Sequence, residues 1–144
     1  MAYATPRDVS IRYPERDLIQ LTNDDSTATT VNTAIVQGAL DDASAEIDGY
    51  LAGRFTMPLT DAPAVLTRLA TDIAIYRLQA LRPIHDLAEA RRRYDDAIAM
   101  LSRVAAGELT LGIAADGRET AIATGAEQSE GPARIFSRGS MKGF

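Results

Sequence analysis

The chain of 144 residues is long enough for one domain that buries roughly two-thirds of its unfolded surface in a single core. Its 20 acidic and 15 basic side chains leave a net charge of -5, which argues against a surface that grips nucleic acid throughout by counterion release. With no cysteine, it has no disulfide, no thiolate zinc site and no cysteine nucleophile.

The first residues, Met1 to Asp8, lack the basic stretch and apolar run of a signal peptide. No segment approaches the roughly 18 apolar residues of a membrane span, so the chain reads as soluble, with no membrane partner. Thr5-Pro6 is a helix-start signal, because threonine caps exposed amides and proline suits the first helical position. A short helix from about Pro6 to Arg12 is predicted, stopped at Tyr13-Pro14 and followed by a second from Glu15 to Leu21. Thr22 to Thr30 is a polar loop, since its Asn, Asp, Ser and Thr side chains compete for backbone hydrogen bonds.

The first long helix is predicted from about Val31 to Ala52, with Val36, Leu40, Ala43, Ile47 and Leu51 on one face and Gly53 as its stop. Arg54 to Leu59 then reads as an ordered connection. Phe55, Met57 and Leu59 have no good place except the core, so a buried structural role for this stretch outweighs an interface role. Asp61 with Pro63 starts the next helix, about Ala62 to Leu81, with Val65, Leu69, Ile73, Tyr76 and Ala80 inward. Arg82-Pro83 breaks it. Asp86 caps a third long helix to about Ala106, in which Leu87, Ala90, Tyr94, Ala97, Leu101 and Val104 keep heptad spacing. That stripe reads as core before it reads as a contact between subunits.

After Gly107 the period changes to two. Leu109, Leu111 and Ile113 alternate, Asp116-Gly117 offers a turn, and Thr120 to Thr124 follows around Ile122, the pattern of a β-hairpin. An isolated hairpin is marginal in water, so pairing between subunits and disorder in the free monomer are both open readings. Gly125 to Gly131 is linker-like, and the 38 residues after Ala106 would reach on the order of 100 Å if extended. Beyond Glu130 there is no acidic side chain, while Arg134, Arg138 and Lys142 remain, so this end suits an acidic surface. The chain therefore divides into an all-α body, residues 1–106, of three long helices behind two short ones, and an extended arm, residues 107–144.

Catalytic and ligand sites find little support in these residues. His85 is the only histidine, without a second to form a metal pair, and reads as a surface or capping residue. Asn23, Asp25 and Thr27 imitate a calcium loop, but Ala28 stands where glycine is needed and Ala34 where the closing glutamate belongs. Asp24-Asp25, Asp41-Asp42 and Asp95-Asp96 are sequence neighbours that diverge by about 100° on a helix and cannot share a proton. Arg91-Arg92-Arg93 suits salt bridges between subunits better than a phosphate site. Gly107 to Gly112 is followed by Ile113-Ala114 rather than Lys-Ser/Thr, and is no phosphate loop. No nucleophile motif surrounds a serine, so no enzyme and no cofactor is expected.

Several segments resemble the phage Mu-like head-tail adaptor family along nearly the whole chain. They are Tyr3-Ala4-Thr5-Pro6-x-Asp8, Asp48-x-Tyr50-Leu51-Ala52-Gly53-Arg54-Phe55-x-Met57-Pro58-Leu59 and Arg68-Leu69-Ala70-x-Asp72-Ile73-Ala74-x-Tyr76-x-Leu78. Arg93-Tyr94-x-x-Ala97-Ile98, Ala106-Gly107 and Phe136-x-Arg138-x-Ser140-Met141-x-Gly143-Phe144 complete the set. The Asn23 to Thr30 segment and His85 depart from the family pattern. The resemblance implies an all-α adaptor that forms a dodecameric ring of neighbouring copies in the neck of the virion. Such a protein is made in the host cytoplasm, joins the portal protein to tail-completion or stopper proteins, and lets DNA pass without sequence-specific binding. In such a ring the expected contact residues are Ile135, Phe136, Arg138, Met141, Lys142 and Phe144, apolar groups filling grooves and cations meeting portal carboxylates. The competing function is a stand-alone helical module that binds a peptide in its bundle groove.

Overall fold

The computed structural model describes residues 2–84 and 86–113, in which five helices and no β-strand occur. The helices are α1 (Pro6–Arg12), α2 (Glu15–Thr22), α3 (Thr33–Leu51), α4 (Ala64–Leu81) and α5 (Leu87–Ala105). Helices α3, α4 and α5 pack on one another, and α1 and α2 lie against α3 and α4. None of the helices among the described residues is long and apolar enough to cross a membrane.

α1 begins where Thr5-Pro6 places it and is fixed by a reciprocal cap. The Thr5 hydroxyl accepts from the Asp8 amide at 3.4 Å, and the Asp8 carboxylate accepts from the Thr5 amide at 2.7 Å. The Thr5 hydroxyl also donates to the Asp8 carboxylate at 2.7 Å, and this bond first, then the one from the Thr5 amide, holds the Asp8 carboxyl below its usual range. Because the folded value is depressed, this contribution is present above the unfolded carboxylate range and is lost as pH falls through the folded value. Thr5→Ala is expected to cost about 1 kcal/mol. Urea unfolding at neutral pH checks this, and the cost should shrink in acid.

α3 starts two residues later than expected, because Asn32 takes the capping position and accepts from the Ile35 amide at 3.4 Å. Its inward face is the predicted one, since Val36, Leu40, Ala43, Ile47 and Leu51 are all buried. Gly53 does not stop it through a left-handed turn. Only Gly107 and Gly112 take positive φ among the described residues, and the α3 end closes through Arg54 and Phe55 amides bonding back to the Leu51 carbonyl.

α4 starts at Ala64 rather than Ala62, with Pro63 at the N-cap and no side-chain cap from Asp61. Its predicted stripe is too narrow and partly misplaced. Leu69 and Ile73 are buried and Val65 and Tyr76 half-buried, but Ala80 is exposed, while Leu66, Ala70, Thr71, Ala74, Ile75 and Leu78 are buried as well. The reason is position: α4 packs extensively on both α3 and α5, which meet each other less, so a single amphipathic stripe does not describe it. α5 lies at the side and keeps its predicted stripe, with Ala90, Ala97, Leu101 and Val104 buried. Tyr94 stacks on Tyr76 of α4 at 4.5 Å between ring centres.

The connection after α3 is ordered as expected, with Phe55 and Leu59 buried and Met57 packed against the core. Past α5, Leu109 to Ile113 forms no strand. All three apolar side chains of that alternation turn toward the body, Leu111 into the core and Leu109 and Ile113 against it. The partner segment of the expected hairpin, Thr120 to Thr124, lies outside the described residues, as does His85.

Candidate interaction surfaces

The six expected arm contacts, Ile135, Phe136, Arg138, Met141, Lys142 and Phe144, lie outside the described residues. What the structure defines is the helical bundle and the segment after α5 as far as Ile113. α5 ends in a closed turn: the Gly107 amide bonds the Val104 carbonyl and the Glu108 amide bonds the Arg103 carbonyl, with Gly107 at φ 83°. The Arg54 guanidinium donates to the Val104 carbonyl at 3.2 Å and lies over Gly107, where a Cβ would sit 2.5 Å from it. A cation at the negative end of α5 thus joins the connection to the turn that ends α5. Beside it, Phe55, Pro58, Leu59, Gly112 and Ile113 border an open hollow of about 430 Å³.

One charged cluster acts between the long helices. Glu46 on α3 accepts from Arg77 of α4 at 2.7 Å and from the Tyr94 hydroxyl of α5 at 2.7 Å, so one carboxylate ties the three long helices. Its hydrogen bond is the first cause that pushes the Tyr94 phenol up to about 12, and it also raises Arg77. A raised folded value means that the neutral phenol is stabilised below the free value of about 10, an effect lost as pH climbs through the folded one. Glu46→Gln is expected to return Tyr94 toward the ordinary tyrosine range, which an ultraviolet titration of the phenols reads directly.

The N-terminal segment is pinned in the same way. The Tyr3 amide donates to Ser44 at 3.1 Å, its carbonyl accepts from Thr67 at 2.9 Å, and its hydroxyl donates to Asp48. Burial, and then that bond, push the Tyr3 phenol up. Tyr13, at the α1–α2 corner, donates to Asp72 at 3.1 Å and accepts from Arg93 at 3.3 Å.

The arginine run of α5 finds carboxylates within its own helix: Arg91 with Asp95 at 3.9 Å, and Arg92 and Arg93 with Glu89 at 3.8 and 3.0 Å. In the loop after α2, Asp25 accepts from the Thr27 amide and hydroxyl at 2.8 and 2.7 Å, which makes it a polar turn. Among the described residues no group of three or more His, Cys, Asp or Glu is placed to hold a metal ion.

A groove of about 280 Å³ lies at the α1–α2 corner, between α4 and α5. Tyr13, Pro14, Ile75 and Ala90 give it an apolar lining, and Asp17, Asp72, Asp86 and Glu89 make it acidic. Sequence reasoning missed it, because its walls come from four helices and no motif spans them.

The segments quoted for the resemblance meet in these contacts: Tyr3 with Asp48, Arg54 with the end of α5, and Asp72 with the Tyr13 that also bonds Arg93. Comparison with known proteins agrees. The family described as Bacteriophage Mu, Gp36 matches residues 3–129. The chain belongs to the Bacteriophage Mu Gp36 family. It is 39% identical over 117 residues to the Mu-like prophage FluMu protein gp36 of Haemophilus influenzae, covering 81% of this chain and 80% of that protein. It is also 35% identical over 148 residues to Gene product J of Escherichia phage Mu, covering 100% of this chain and 99% of that one. The Gp36 family match stops at residue 129, short of the six arm residues, whereas the likeness to Gene product J takes in the whole chain.

Proposed function

We propose that this Gp36-family protein is a structural part of a tailed phage particle and not an enzyme. It acts as a head-tail adaptor: copies form a ring, a dodecamer, in the neck, join the portal to the tail-completion or stopper protein, and line the passage for DNA. The observation that carries this reading is the end-to-end kinship with a gene product of phage Mu.

The body supports it on physical grounds. Its carboxylates and arginines link helices to one another, as Glu46 does, which suits a rigid ring element. The exposed Asp41 and Asp42 of α3 belong to a net acidic chain, and an acidic lumen repels the DNA backbone and lets it slide. The arm supplies contact area beyond the body, through Ile135, Phe136, Arg138, Met141, Lys142 and Phe144. The site of action is the virion neck, and the chain is made in the cytoplasm of the host.

Disrupting the gene in its prophage and inducing the phage tests this. The expected result is DNA-filled heads and separate, complete tails. Normal joined particles from the disrupted prophage would return the stand-alone helical module to first place.

A further inference from the structure

The arm end and the corner groove are complementary in charge and in chemistry. After Glu130 the sequence holds Arg134, Arg138 and Lys142 and no acidic side chain, interleaved with Ile135, Phe136 and Met141. The groove presents four carboxylates against the guanidinium groups of Arg12 and Arg93, over an apolar floor formed by the Tyr13 ring, Ile75 and Ala90. Asp72 accepts from Tyr13, Asp86 from the Ala88 amide and Glu89 from Arg93, and the remaining lone pairs of these carboxylates can take a second cation.

Reach is compatible with an intramolecular contact. Ile113 sits beside the Phe55 to Asp61 connection, at the end of the bundle where α5 finishes, while the groove lies along the first half of α5. Along α5 the step from Val104 back to Ala90 is about 21 Å at 1.5 Å per residue. A flexible chain as long as the 21 residues from Ile113 to Arg134 would average about 25 Å end to end. A tether whose average span matches the gap gives an effective concentration in the millimolar range, so even a weak contact is populated within one chain before it is populated between chains.

We propose that the corner groove is the docking site for the chain's own cationic end, residues 131–144, in the unassembled protein. Arg138 or Lys142 meets the carboxylates of Asp72, Asp86 and Glu89 while Phe136 covers the Tyr13, Ile75 and Ala90 floor. The contact itself requires no ring. Under the adaptor reading it keeps the six arm residues on their own body until a portal displaces them.

Lys142 is the only lysine in the sequence, which makes the test clean. The full chain, as an equal mixture of 15N-labelled and unlabelled copies, is treated with a carbodiimide that joins amines to carboxylates without a spacer, and the joined peptides are read by mass. The expected result is Lys142 linked to Asp17, Asp72, Asp86 or Glu89 within copies of one isotope, favoured by more than about tenfold over the exposed Asp41 and Asp42. In 1 M salt, where screening acts within about 3 Å, that preference should fall away. Equal linkage to Asp41 and Asp42, or groove linkages that join labelled to unlabelled copies, would overturn the proposal. Because no portal is present, either result leaves the adaptor reading to its own test.

Discussion

Replacing Ile73 by alanine is expected to lower the unfolding free energy by about 3 to 4 kcal/mol, within the range for emptying a fully buried aliphatic site. Ile73 has no exposed surface and stands at the middle of α4, which packs extensively on both α3 and α5, so neighbouring side chains have little freedom to collapse into the space. Against a total stability of about 5 to 15 kcal/mol, the loss is a large share. Urea unfolding should show a lower midpoint with an unchanged slope. Leu81→Ala is the control: Leu81 is 80% exposed, and its removal should stay within about 0.5 kcal/mol. A small loss at Ile73 would mean that α4 is not the centre of the core.

Ending the chain after Glu130 should have the opposite profile, with little change in folding and complete loss of portal binding. Among the described residues the buried apolar set runs from Tyr3 to Leu111, and these neighbours are all kept when the last fourteen residues are removed. What goes is the group assigned to the portal contact, the cations Arg138 and Lys142 and the apolar Ile135, Phe136, Met141 and Phe144. An interface draws most of its energy from a few such anchors, so their joint removal should cost far more than a single alanine. Helical circular dichroism and the urea midpoint should match the full chain, while binding to immobilised portal rings disappears. Unchanged portal binding by residues 1–130 would remove the arm from the docking account.

The long helices α3 and α5 were legible because each turns a single apolar face to the core. In α3 and α5 the apolar residues recur at helical spacing and are buried where expected, Leu40, Ile47 and Leu101 among them. α4 was legible as a helix but not in its facing, because a helix enclosed on several sides has no single polar stripe to reveal its orientation. The boundaries at Asn32 and Pro63 differed by two residues, where a loop side chain or a proline ring decided the first turn. The alternation of Leu109, Leu111 and Ile113 resembled a strand, but it marks a segment folded back onto the core after a left-handed glycine.

The links that position the surfaces were largely invisible in one dimension. Arg54 bonds a carbonyl 50 residues away, and Glu46 reaches Arg77 and Tyr94 at separations of 31 and 48. A polar residue on a helix carries no mark of which distant partner it meets. The family was legible, by contrast, because its motifs are distributed along the chain, several of them meeting in the bundle, and the match over residues 3–129 takes in the bundle and runs past it.

The most direct test of the adaptor reading is the mass of the complex that the full-length protein forms with its cognate portal ring. The account predicts a closed assembly carrying one ring of this chain, twelve copies, bound at one end of the portal. No complex, or single copies scattered on the portal without a ring, would contradict it.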